Sequence, residues 1–149
     1  MKFRHFYLFL ALFVSCEAYA QTAITLEQRR DMDFASIAAD PAGDTITLTP
    51  ADDISGTNVS LFIGGTQAAL FRARGDRNSA VTISFSSGDF LSGPGANISL
   101  GNFVHDAGAT PTIGNNQQLN FNVGATLTIN PAQLGGDYSG TYSVFVDYQ

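Results

Sequence analysis

Cysteine is nearly missing from this chain. Cys16 is the only one, so no intramolecular disulfide can staple the fold, and an exported domain built from this sequence must rest on its apolar core. Histidine is almost as scarce. Beyond residue 20 only His105 remains. A Ser-His-Asp hydrolase would need it as base, yet no Gly-x-Ser-x-Gly elbow is present, and Ser139 in Asp137-Tyr138-Ser139-Gly140 has no such context. One imidazole with no thiol cannot assemble the usual zinc ligand sets. His105, in Val104-His105-Asp106-Ala107-Gly108, is expected to be a loop residue.

Glutamate is also rare, with Glu27 alone beyond residue 20. Asp52 and Asp53 are adjacent and would face opposite sides of a strand. Asp40 and Asp44 flank a Pro-Ala-Gly turn, where Asp is ordinary turn chemistry. No Asp-x-Asp-x-Asp-Gly loop occurs, so neither calcium binding nor a glycosidase carboxylate pair has a sequence basis. No catalytic residue, cofactor or metal is expected. Lysine disappears after residue 20, leaving five arginines against twelve acidic residues. So acidic a chain, without a basic stripe, is a poor partner for nucleic acid or anionic membrane. Arg74-Gly75-Asp76 spells an integrin tripeptide, but Gly-Asp between strands is equally a hairpin signal.

Long apolar runs are absent too. Phe6–Val14 falls short of the roughly 20 residues a membrane helix needs, and no later segment does better. The run follows a basic start (Lys2, Arg4, His5) and precedes Ala18-Tyr19-Ala20. This is the layout of a secretory signal. Cleavage is expected before Gln21, leaving residues 21–149 as one domain with no transmembrane helix. Phe13-Val14-Ser15-Cys16 weakly resembles the box before a lipidated cysteine, with Phe13 where leucine is usual; lipidation at Cys16 is the alternative.

Alternation is what the sequence has in abundance. Leu119, Phe121, Val123, Ala125, Leu127 and Ile129 are separated by residues that are polar or glycine. A period of two over that length specifies a strand with one apolar face, and Gly124 within it signals a bulge or bend. Shorter alternating stretches surround Ile24–Glu27, Ile46–Leu48, Val59–Ile63, Ala69–Ala73, Val81–Phe85, Ile98–Leu100 and Tyr142–Tyr148, with Gly-, Pro- and Asn-rich turns between. One short helix is expected over Asn130–Leu134, with Asn130 capping and Pro131 in the first helical position. The fold expected is an all-β, immunoglobulin-like antiparallel β-sandwich of about eight or nine strands.

Several stretches together carry a resemblance. Ile24-Thr25-Leu26, Met32-Asp33-Phe34-Ala35, Ala69–Gly75, Val123-Gly124-Ala125-Thr126-Leu127 and the Gly136–Tyr148 run resemble a widespread family of short secreted bacterial proteins, a domain of unknown function (forty-four zero-two). The family pattern has leucine where Met32 stands and glycine where Ala35 stands. Alanine enters positive φ less easily, so the backbone at Ala35 is expected to differ from that of its relatives. The family looks distantly like pilus subunits assembled by a chaperone and an usher, which often carry a penultimate tyrosine and a glycine fourteenth from the C-terminus. Tyr148 and Gly136 occupy those positions. In such subunits a neighbour's N-terminal extension completes an unfinished sandwich. Such subunits usually carry a disulfide, which this chain lacks.

What the resemblance implies is a non-enzymatic exported structural or adhesive surface protein, in its most specific form a fimbrial-type subunit assembling by strand complementation. Its partners would be further copies of itself or a periplasmic chaperone. The assembly edge would comprise Gly136, Tyr142, Val144, Phe145, Val146 and Tyr148, with Tyr142, Val144, Val146 and Tyr148 facing the core and Phe145 outward. Ile24 and Leu26 form the candidate donor segment. If Ile24–Glu27 is instead the domain's own first strand, no free tail remains to donate. The alternative is a monomeric secreted module that binds glycan or protein through its loops.

Overall fold

The computed structural model describes residues 21–58 and 61–149. The expected signal segment, Cys16 and Val59 lie outside the described residues. Eleven strands and no helix occur among the described residues: β1 (Thr25–Arg30), β2 (Ser36–Ala38), β3 (Asp44–Leu48), β4 (Ile54–Gly56), β5 (Leu61–Ile63), β6 (Ala69–Arg74), β7 (Val81–Phe85), β8 (Asp89–Leu91), β9 (Ile98–His105), β10 (Gln118–Ile129) and β11 (Val144–Tyr148). Every pairing between them is antiparallel. The chain is an all-β protein with a β-sandwich arrangement.

Seven strands form one sheet, and two ribbons, β7–β11 and β2–β5, make the second layer. The long alternating stretch is β10, and it is the spine of the large sheet. Along one edge it pairs with β6 through Gln118–Val123 and then with β3 through Ala125–Ile129. Along the other it pairs with β9. Gly124 sits at the handover from β6 to β3, where the β9 register also shifts. A Cβ at this position would run into the carbonyl oxygen of Leu48. The expected irregularity at Gly124 is therefore present, and close backbone approach is its cause.

The apolar row of β10 feeds two adjoining clusters. Phe121 and Val123 join Ala69, Phe71 and Ala73 beneath the β7–β11 ribbon, with Ile83, Phe85, Val144 and Val146 packed against them. Ala125, Leu127 and Ile129 join Ile46, Ile98 and Leu100, with Ile37 and Phe62 of the other ribbon against them. Met32, Phe103 and Tyr142 contact both clusters.

Several local expectations are corrected. No helix forms over Asn130–Leu134. The Asn130 amide donates to Asn97 O and Gln133 Oε1 rather than capping, and Ala132 is left-handed (φ 52°) with its N–H on Pro41 O. Ala35 adopts φ 58°, the conformation that alanine was expected to resist. Asp33 Oδ1 accepts its N–H at 2.7 Å and offsets part of the strain. His105 is the last residue of β9, not a loop residue. Asp44 is no exposed turn residue either. It is buried at the start of β3, and its Oδ1 accepts from Thr57 N, Thr57 Oγ1 and Asn58 N, tying β3 to the chain beyond β4.

Candidate assembly groove and C-terminal edge

The second layer is not continuous. Among the described residues β2 pairs only with β5, and β11 only with β7. Between β2 and the segment leading into β11 lies a groove of about 660 Å³, over Ile98, Leu100, Leu127 and Ile129. One wall is Phe34–Ala39, and the other is Gly135–Gly140 with Tyr142. The edge of β2 not paired with β5 and the non-strand segment entering β11 thus flank an apolar floor, and an unpaired strand edge beside such a floor can accept an added strand.

The second wall is fixed by Tyr138 and Gln133, neither of which was among the expected site residues. The Tyr138 hydroxyl donates to Leu134 O and accepts from Gly95 N and Gln133 Nε2, at 2.7–2.9 Å. Gln133 Nε2 also reaches Ala96 O at 2.6 Å. This network replaces the expected helix and holds the 130–138 segment against the 93–97 turn. Gly136 belongs to it through backbone geometry: φ is 144°, and a Cβ would strike the Pro94 ring. A glycine-rich turn followed by tyrosine was visible in the sequence, but its partners lie some forty residues away and no local pattern announces them.

The remaining expected site residues divide between faces. Tyr142 lines the groove. Val144 and Val146 are half-buried and pack on the Phe71 and Phe121 side of the core. Phe145 points the other way and is 51% exposed, so it does not line the groove. The Tyr148 hydroxyl accepts from Asp76 N (2.7 Å) and donates to Thr22 O (2.8 Å). Tyr148 covers a buried Gly75, and Asp76 Oδ2 accepts from Thr22 N, so Arg74-Gly75-Asp76 is tied into the fold rather than displayed on a free tip. Ile24 packs against the core. Leu26 lies on β1, opposite Ala73 of β6. The candidate donor is therefore engaged with its own chain.

Six rings close into a circuit beside the groove. Phe71 meets Phe121, Phe121 meets His105, His105 meets Phe85, Phe85 meets Phe103, Phe103 meets Tyr142, and Tyr142 returns to Phe71, with centroids 5.0–6.4 Å apart. Two buried polar atoms of this circuit, His105 Nδ1 and the Tyr142 hydroxyl, have no hydrogen-bond partner among the described residues. Burial pushes the Tyr142 phenol up to about 12 from 10.0, with Asp31 adding to the shift. The folded state keeps this proton where the unfolded chain loses it. The stability contribution is thus intact below pH 10.0 and is lost as pH rises toward about 12. Tyr142→Phe removes the unpaired hydroxyl. It is expected to leave stability unchanged or raise it by up to about 1 kcal/mol and to blunt the alkaline loss. Urea unfolding at neutral and alkaline pH checks both.

Among the described residues no three His, Cys, Asp or Glu side chains come together as metal ligands, and no helix is long and apolar enough to cross a membrane. No curated protein and no solved structure gives a significant match to the chain. The model of one family does match, that of the domain of unknown function DUF4402, over residues 24–148. That span runs from the residue before β1 to the end of β11, and the chain accordingly belongs to the DUF4402 family.

Proposed function

We infer that this protein is a non-enzymatic exported structural or adhesive surface protein that self-associates by strand addition, as a fimbrial-type subunit would. The observation that carries this reading is the groove between the unpaired edge of β2 and the segment entering β11, above the apolar floor of Leu100 and Leu127. An extended segment with alternating apolar residues would join both ribbons into one layer and dry the floor. Thr25–Arg29 of β1 are all exposed, so release of this edge strand from β6 gives up little apolar burial. Its transfer to a neighbour would be an exchange of pairings, as in domain swapping, rather than the docking of a free tail. Phe145, outward on the same C-terminal strand, would be covered in the assembly.

Light scattering on purified protein across a concentration series tests this. Oligomers that grow with concentration are expected. They should be lost in Ala39→Phe, which fills the groove, and weakened in Phe145→Ser. A protein that stays strictly monomeric at high concentration would refute strand addition and leave the monomeric loop-binding module as the better reading. Loss of association in Phe145→Ser alone would keep the C-terminal edge as the interface and exclude the groove.

A further inference from the structure

The five arginines beyond residue 20 are dispersed in sequence, but pairing gathers most of them on one surface. β1 and β10 flank β6 in register. Thr25, Arg74 and Gln118 form one row across the three strands, and Glu27, Arg72 and Asn120 the next. Phe71 and Ala73 occupy the core face of β6, which turns Arg72 and Arg74 outward. Arg29 reaches the same surface and donates to Glu27 Oε1 at 2.6 Å. One carboxylate thus stands among three guanidinium groups. Arg29 first, then Arg72 and Arg74, hold the Glu27 carboxyl below its usual range. Arg72 Nε donates to Asn120 Oδ1, while Arg74 has no ion-pair or hydrogen-bond partner among the described residues. The protein as a whole carries a formal charge of −6, so this is a local excess of positive charge on an acidic molecule.

We propose that the outer face of β1, β6 and the first half of β10 is a docking surface for an acidic polysaccharide, one bearing a carboxylate on each sugar. Guanidinium forks match carboxylates in geometry as well as charge. Arg72 and Arg74 lie two residues apart on one face of one strand, roughly 6.8 Å, so both can meet carboxylates of a single polymer. The side-chain amides of Gln118 and Asn120 and the hydroxyl of Thr25 alternate with the charges and can pair with sugar hydroxyls. Glu27 accepts from hydroxyls too, but it repels a densely charged chain. Together with the acidic whole, this disfavours nucleic acid, which carries a charge about every 1.7 Å. The surface shares β1 with the strand exchange proposed above, but Arg72 and Arg74 lie on β6, so the polysaccharide test reads on them whether or not strands are exchanged.

Affinity electrophoresis of the purified protein through gels containing polygalacturonate tests it, with neutral dextran gels as reference. Retardation by polygalacturonate at low salt is expected, weakening at least tenfold near physiological ionic strength. Arg72→Gln combined with Arg74→Gln should weaken it at least tenfold. Arg77→Gln removes a charge from the turn beyond β6 and should change it less than twofold. Unchanged urea unfolding of the double variant verifies its fold. No retardation, equal retardation in dextran, an unaffected double variant, or an Arg77→Gln effect as large as the double would each overturn the proposal. So would loss of self-association in the double variant without loss of polygalacturonate binding, which would assign the face to a second copy of the chain.

Discussion

Phe121→Ala is expected to destabilise the protein by about 3–5 kcal/mol, a large part of the 5–15 kcal/mol typical of a domain. Phe121 is 1% exposed and is the largest of the fully buried side chains. It stacks on Phe71 at 5.7 Å and meets His105 edge-on at 6.2 Å, so its removal opens the ring circuit as well as leaving a cavity. Its cluster is roofed by the two-stranded β7–β11 ribbon, which is anchored by half-buried side chains. Collapse around the void would draw that ribbon inward, and the range allows for such relaxation. Urea unfolding followed by circular dichroism measures the loss. A change under about 1 kcal/mol would mean that the ring circuit does not carry the core.

Gly124→Ala is expected to be the second large loss, at or above the upper end of the ~1–3 kcal/mol seen for overpacking. The new methyl would meet backbone on every near side: Leu48 O, Leu48 C and Thr49 C. Backbone cannot swing aside as a flexible side chain can. Relief requires β3 to separate from β10, and the ladder between Ala125↔Leu48 and Ile129↔Asp44 would weaken. A contrasting control is Gly101→Ala on β9, where a Cβ meets nothing within 4 Å. Equal effects of the two substitutions would show that backbone approach is not what requires glycine at residue 124.

Much of the fold was legible because β10 states its own pattern. Leu119 to Ile129 alternate, and from Phe121 onward each apolar member of the row is buried. Of the four three-residue strands, β5 was read within the longer Val59–Ile63 alternation, but β2, β4 and β8 have no such flanks, and three residues hold too little of any period. That is why eleven strands stand among the described residues where eight or nine were expected. The Asn130–Leu134 stretch carried correct helix-start signals, yet Asn97, Ala96 and Tyr138 offered its amides better partners than a helix would. The C-terminal strand was read correctly in its faces: Val144 and Val146 turn inward, and Phe145 turns out. The groove was not readable at all. It exists because β2 and the segment before β11 fail to meet, and a gap between distant segments leaves no mark on either one. The arginine surface was missed for a related reason. Its charges are sparse along the chain and become neighbours only through the register of β1 with β6.

The shared spine also sets an order in time. β1 can pair with β6, β3 with β4, and β8 with β9 as soon as each pair has been synthesised. Each of these is only a two-stranded hairpin or ribbon, marginal by itself in water. The strand that welds all three into one sheet begins at Gln118, in the last quarter of the chain, and the partner of β7 comes later still. A growing chain therefore holds these three ribbons, and the β2–β5 ribbon, with open edges until β10 has been made. Folding is consequently expected to be late and concerted rather than stepwise, and slow because pairings distant in sequence dominate it. During that interval the exposed edges are open to any strand that reaches them first.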